Sequence, residues 1–300
     1  MGVVSPARGA LTAAAWAVML AVSDLPDIVV ASLGRAAPAW AFWAKAAFLA
    51  AFLALTLVWR RVRPLRQYAL VLLVLFLALG LTSFLRGTAR FQGSFNYAGV
   101  PFFTGYAAIM TLDVLVAAAI VAVLWFMKRD RRAFFLARGR LDAPVGPIRW
   151  LGIRGGESWR ALGWIFGGAA GLAVLVPTVI GIAPTRDMVV RALPLVPAAV
   201  LFAAINAFTE ETYFRASILS TLHDVIGETQ TLLIAAVFFG LAHWLHGSPP
   251  GPAGSLMTGF LAWLIGRSML ETRGMLWPWF IHFVPDVVIF VSYALMFAGS

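Results

Sequence analysis

The chain has 300 residues, of which 61% are hydrophobic and 12% are charged, and its mean hydropathy is +0.88. A soluble domain is about 45–50% apolar and about 25% charged, so this composition excludes an ordinary soluble protein and indicates an integral membrane protein. The net charge is +10, but the basic residues lie in short loops between apolar runs, which excludes a nucleic-acid-binding surface. The absence of cysteine excludes disulfides and thiolate metal ligands.

Apolar runs along the chain predict membrane-spanning helices, each of which needs about 20 residues. The predicted spans are residues 10–33, 39–59, 67–85, 105–127, 161–183, 193–222, 230–246, 253–270 and 275–297. The expected fold is therefore an all-α, polytopic transmembrane helical bundle of about nine spans. Asp24-Leu25-Pro26-Asp27 breaks the first span, and the sixth is too long for one perpendicular crossing.

The start of the chain allows two interpretations. Arg8 precedes an apolar run, and Ala21-Val22-Ser23 resembles a signal-peptide cleavage site. The apolar pattern resumes after Asp27, however, and this favours an uncleaved first span.

Basic loops predict the orientation of the chain. Arginine and lysine cluster at 60–66, 128–140 and 267–273, and all three loops share one side if the N-terminus is cytoplasmic. The excess of Arg over Lys fits a GC-rich bacterial genome, so the expected location is a bacterial cytoplasmic membrane.

The segment 141–160 divides the chain into two parts. It is rich in Pro and Gly, and Trp150, Ile153 and Trp159 with nearby arginines indicate contact with anionic lipid. The predicted organisation is N-terminal membrane helices over 1–140, a cytoplasmic interfacial linker over 141–160, and a core over 161–300.

Two charged residues lie in the N-terminal spans, Lys45 in the second and Asp113 in the fourth. They are expected to pair with each other or to reach toward the membrane surface, in a structural role.

Adjacent carboxylates, Glu210 and Glu211, lie inside the sixth span. One ionised acid near a bilayer centre costs roughly 2.5–3.5 kcal/mol on insertion scales. In an α-helix Glu211 shares a face with Arg215 and can pair with it, whereas Glu210 points about a quarter turn away, toward the face of Asn206. An electrostatic contact between helices is the alternative, but two acids for one arginine favour chemistry at Glu210.

Histidines occur in two later spans. His243 follows Phe239 by one turn, and Gly240 beside it allows a close helix approach. His282 and Asp286 share a face around Pro285. Either histidine alone fits an interhelical hydrogen bond or a locked kink.

Together the polar residues predict a convergent site on three helices. A carboxylate and two histidines are a set that activates water, with or without a metal ion. The members are Glu210, His243, His282 and Asp286.

Three motifs in this order resemble a known family. Glu210–Arg215 looks like EExxxR, Phe239–His243 looks like FxxxH, and His282–Asp286 looks like HxxxN with Asp in the last place. Over residues 193–297 the chain is similar to the CPBP family of intramembrane proteases, which includes type II CAAX prenyl proteases and bacterial Abi proteins.

The resemblance implies a catalytic role for each motif. Glu210 would activate water with help from His243, and Glu211, held by Arg215, would shape the catalytic site. His282 and Asp286 would line the oxyanion side or bind a metal. A divalent ion such as zinc, held by Glu210, His243, His282 and Asp286, stays open beside a metal-free glutamate mechanism. An ionised Asp286 cannot donate to an oxyanion, so it would orient His282 or ligate a metal.

The predicted function is an intramembrane endopeptidase acting on a membrane-associated protein or peptide. A non-catalytic immunity or scaffold protein that reuses the fold is the first alternative. A proton-coupled transporter is the second, since buried acids and histidines also form proton relays. The sequence contains no inverted repeat that would support a transporter.

Overall fold

The regular elements of the protein are helices. The computed structural model describes residues 6–96, 99–127, 130–247 and 250–299, so Lys128 and Arg129 of the second basic loop lie outside it. The α-helices are α1 Pro6–Val22, α2 Leu25–Ser32, α3 Trp40–Val58, α4 Arg66–Gly87, α5 Ala89–Phe95, α6 Phe102–Phe126, α7 Trp159–Ile182, α8 Arg186–Ala192, α9 Val196–Glu210, α10 Ser217–Ile226, α11 Glu228–His246, α12 Gly251–Thr272 and α13 Leu276–Gly299. The predicted all-α fold is confirmed.

Seven helical runs in the described ranges are long and apolar enough to cross a membrane. They are Trp40–Val58, Arg63–Gly87, Phe102–Phe126, Trp159–Ile182, Arg186–Ile226, Glu228–Leu245 and Leu276–Gly299. The pair α1 and α2, bent by 51° at the predicted break, would make an eighth. The predicted span 253–270 does form a helix, α12, but its glycines, serines and Arg267 leave it less apolar than the others.

The sixth predicted span is indeed long, since its helical run Arg186–Ile226 contains 41 residues. A 3₁₀ turn over Leu193–Leu195 and a π-helical turn over Glu211–Ala216 interrupt it. The π turn, which hydrogen-bonds from i to i+5, widens the helix at the pair of glutamates.

The chain forms two compact units, and both are discontinuous in sequence. The first unit is Met1–Gly80, Ala119–Phe134 and Tyr213–Arg267, and the second is Leu81–Ala118, Phe135–Thr212 and Ser268–Ser300. The predicted division at 140 and 160 follows chain order instead and stays a prediction.

In the second unit, α13 packs against a glycine stripe on α7. Gly163, Gly167 and Gly171 recur every four residues and are buried. A Cβ atom on Gly163 would overlap the ring of Trp277, and one on Gly171 would lie 2.7 Å from Cγ1 of Val284. Small residues at this spacing let helix backbones approach closely in a membrane.

The opposite side of α13 packs against α9. Ala199 and Ala203 of α9 are fully buried and share an apolar cluster with Phe290 and Ala294 of α13. Small residues on both neighbours therefore hold α13 closely in the second unit.

The segment 141–160 is a folded loop of the second unit. The indole Nε1 of Trp159 donates to Oε2 of Glu271 over 2.8 Å, and the backbone N–H of Gly146 donates to the same oxygen over 3.2 Å. The predicted lipid contact of Trp159 is therefore wrong, because its side chain is fully buried on Glu271. Trp150 is 66% exposed and remains available for lipid.

The charged residues of the N-terminal spans have other partners than predicted. Lys45 donates to Asp27 over 2.5 Å and to the carbonyl of Ser23 over 2.8 Å. Arg86 donates to Asp113 over 2.6 Å. The predicted pair of Lys45 with Asp113 is wrong, because each side chain pairs with an opposite charge within its own unit.

The glycine stripe gives a test of helix packing. We expect Gly163→Ala to lower stability by about 1–3 kcal/mol, because an added Cβ overlaps the rigid Trp277 ring. The matched control is Gly168→Ala, since a Cβ there meets nothing within 4 Å. Melting temperatures in detergent measure both variants, and equal values for the two would contradict the proposed packing.

Candidate functional site

Three acidic side chains surround one histidine in the second unit. Nδ1 of His282 lies 2.7 Å from Oε1 of Glu211. Its Nε2 lies 3.6 Å from Oε2 of Glu210 and 3.6 Å from Oδ1 of Asp286. The structure thus brings together four of the predicted site residues, from the end of α9, the π turn and the middle of α13.

The contact of Glu211 with His282 differs from the sequence-based interpretation. That interpretation assumed regular α-helical rotation. It predicted that Glu210 faces the histidines and that Glu211 pairs with Arg215. The π turn begins at Glu211, so the four-residue spacing no longer places side chains on one face. The ion pair of Glu211 with Arg215 stays a prediction, while the bond to His282 is an additional role for Glu211.

The contact with Glu211 involves one nitrogen of the His282 ring and leaves the other for different partners. An ionised carboxylate only accepts hydrogen bonds, so Nδ1 of His282 is the donor to Glu211 in its ionised form. Nε2 then faces Glu210 and Asp286. The ring orientation is set by Glu211, as a neighbouring acceptor sets that of many functional histidines.

A fifth polar residue, Asn206, extends this network. Its Nδ2 donates to Oδ2 of Asp286 over 3.0 Å. Asn206 is predicted to share the face of Glu210, and the structure shows that its partner is Asp286. The HxxxN motif has Asn at the position that Asp286 occupies here. In this protein, the side-chain amide of Asn206 lies beside that position instead.

The two glutamate side chains differ in their exposure to solvent. The side chain of Glu211 is 0% exposed, and those of His282 and Asp286 are 8% and 7% exposed. Glu210 is 19% exposed, so it is the most accessible carboxylate of the three. Of the three carboxylates, Glu210 therefore offers the largest exposed surface to a water or substrate.

Trp279 fixes α13 beside α9, a role that sequence reasoning missed. Its indole Nε1 donates to the backbone carbonyl of Ala204 over 2.9 Å. Trp279 lies three residues before His282, so this bond anchors α13 within one turn of the site. The available signal was a Trp inside an apolar span, where a buried indole N–H needs an acceptor.

The remaining motif residues meet in the first unit. The guanidinium of the fully buried Arg215 lies over the Phe239 ring, 3.7 Å from its centroid. This cation–π contact gives Phe239 of the FxxxH motif a physical role. It also joins the end of the EExxxR motif to the start of FxxxH.

His243 bonds to its own helix. Its Nδ1 lies 2.9 Å from the backbone carbonyl of Phe239, which only accepts, so Nδ1 carries a proton and Nε2 is the basic nitrogen. The close approach predicted at Gly240 is confirmed, since a Cβ there would lie 2.6 Å from the carbonyl oxygen of Ser255. Action of His243 together with Glu210 stays a prediction.

A metal centre needs several acidic or histidine side chains grouped around one point. Within residues 6–96, 99–127, 130–247 and 250–299, no group of three or more His, Asp or Glu residues has an arrangement that would hold a metal ion. Zinc binding by Glu210, His243, His282 and Asp286 stays a prediction, because His243 belongs to the first unit and the other three residues belong to the second.

The bond between Asn206 and Asp286 predicts an energetic coupling. Removing one partner leaves a buried polar group unsatisfied, whereas removing both does not. We expect Asn206→Leu and Asp286→Leu to be coupled by about 1.5–3 kcal/mol in a double-mutant cycle. Melting and denaturation in detergent give the four stabilities, and strictly additive effects would refute the coupling.

A comparison with models of known protein families supports the resemblance drawn from the order of the three motifs. Residues 192–288, about a third of the chain, match the family model described as type II CAAX prenyl endopeptidase, Rce1-like. No significant match to the chain is found among curated proteins or among solved structures. The matched segment contains all three motifs, and the predicted resemblance to CAAX-type intramembrane proteases is confirmed for residues 192–288.

Proposed function

We propose that the protein is an intramembrane endopeptidase that hydrolyses a peptide bond in a membrane-associated protein or peptide. The family match supports a protease-type hydrolase in general. The observation that carries the finer proposal is the His282 ring, held by Glu211 on one nitrogen and faced by Glu210 and Asp286 on the other. The matched family is described by its prenyl substrates, and the broader substrate class is proposed for this chain.

Glu210 is the proposed general base. Its Oε2 and Nε2 of His282 are 3.6 Å apart, so one oxygen atom beside them reaches both within hydrogen-bonding distance. Glu210 takes a proton from water as the water oxygen bonds to the scissile carbonyl carbon. When the C–N bond breaks, the same proton passes to the leaving amine.

The other residues position this reaction. Glu211 fixes the imidazole through Nδ1, and Asn206 fixes Asp286. Because Asp286 accepts from Asn206, the proposed role of Asp286 is to orient the site, rather than to donate to an oxyanion. Assistance from His243 is supported by its position in the second motif and by its basic Nε2.

Replacing the proposed base tests the function. We expect Glu210→Gln to slow peptide cleavage by about 10²–10⁴-fold, the usual contribution of a general base, with an unchanged melting temperature. Cleavage of membrane proteins is measured in isolated membranes from the appearance of new N-termini.

The matched control is Glu228→Gln, which removes an exposed carboxylate at the start of α11. It should cleave at the wild-type rate. Undiminished cleavage by Glu210→Gln would refute the assignment and favour a scaffold that reuses the fold.

Chelation tests whether a metal contributes. Because the proposed mechanism has Glu210 take the proton from water directly, we expect 1,10-phenanthroline to leave the cleavage rate unchanged. The non-chelating isomer 1,7-phenanthroline is the control for direct inhibition. A loss of activity that added zinc restores would show instead that a metal is required.

A further inference from the structure

A basic cleft lies at the turn that joins α3 to α4, within the first unit. Its volume is about 370 Å³, and its lining residues are Arg60, Arg63, Pro64, Arg66 and Gln67. All three arginine side chains are exposed, and among the described residues no acidic side chain forms an ion pair with them. The chain has no Asp or Glu between Asp27 and Asp113, so neighbouring sequence supplies no compensating charge.

The cleft opens at the end of two candidate spans, Trp40–Val58 and Arg63–Gly87. Val58, the last residue of α3, is 80% exposed and apolar, as expected for a lipid-facing position. Trp59 follows and is 48% exposed, and tryptophan is enriched at the membrane–water interface. The arginines therefore lie where the headgroups of a bilayer begin.

Two features of the cleft select a phosphate. Guanidinium groups bind phosphate oxygens through paired N–H donors, and three arginines line this cleft. The α4 helix begins at Arg66, so the positive end of its dipole adds to the same side. A carboxylate ligand would use fewer of these donors than a phosphate with its additional oxygens.

We propose that this cleft binds the phosphate group of an anionic phospholipid headgroup. Its position beside exposed apolar residues of α3 places the acyl chains of the same lipid along the helix. Free phosphate offers the same chemistry to the arginines but gains nothing from the adjoining apolar surface. The site is independent of the proposed protease centre.

Lipid titration of the full-length protein in an uncharged detergent tests the proposal. Phosphatidylglycerol should raise the melting temperature, whereas phosphatidylcholine and inorganic phosphate should not. The triple variant Arg60→Gln, Arg63→Gln, Arg66→Gln should bind phosphatidylglycerol about 100-fold more weakly, at about fivefold for each basic group lost near a membrane surface.

The matched control is Arg61→Gln, which removes an exposed arginine of the same turn that does not line the cleft. It should lose no more than about fivefold. Native mass spectrometry counts the lipids that remain bound to each variant. Three results would overturn the proposal: wild-type affinity in the triple variant, an equal loss in Arg61→Gln, or equal stabilisation by inorganic phosphate.

Discussion

The hydrogen bond between Glu211 and His282 is the contact on which the polar centre of the second unit depends. A fully buried carboxylate in an apolar helix is costly unless a donor meets it, and Nδ1 of His282 is such a donor. The same bond turns the ring so that Nε2 faces the more accessible Glu210. One contact thereby reduces the cost of a buried charge and prepares the reactive side of the ring.

This contact requires that α13 be held firmly, and several features of the second unit do so. A glycine stripe on α7 and buried alanines on α9 allow close backbone approach on two sides. Trp279 then fixes the height of the helix through the carbonyl of Ala204. Functional groups placed on rigid, closely packed helices keep their geometry better than groups on loops.

Much of this organisation follows from sequence, because apolar length and motif order are local properties. The all-helical fold, the break near Pro26 and the grouping of Glu210 with His282 and Asp286 were all accessible in this way. The partner of Trp159 was not, because Glu271 lies 112 residues further along the chain. Long-range pairing leaves no periodic signal in either segment.

The glutamate pair shows a second limit of sequence reasoning. Rotation per residue is regular only in an α-helix, and the helix changes to π geometry at Glu211. Nearby hydroxyls accompany the change, since Thr212 donates to the carbonyl of Phe208 over 2.8 Å. Threonine and serine hydroxyls that bond to preceding backbone carbonyls can bend a helix, so these residues were the available signal in the sequence.

The π turn over Glu211–Ala216 determines where these six side chains point, and residue spacing alone does not determine this. On a regular α-helix, the same six residues would place Glu211 at a different angle around the helix axis. Its carboxylate would then point in another direction than it does in the wider π turn. Two chains with identical motifs are therefore equivalent only if both widen at the same residue. In this protein, the function of the motif depends on the local helix geometry as much as on the identity of its side chains.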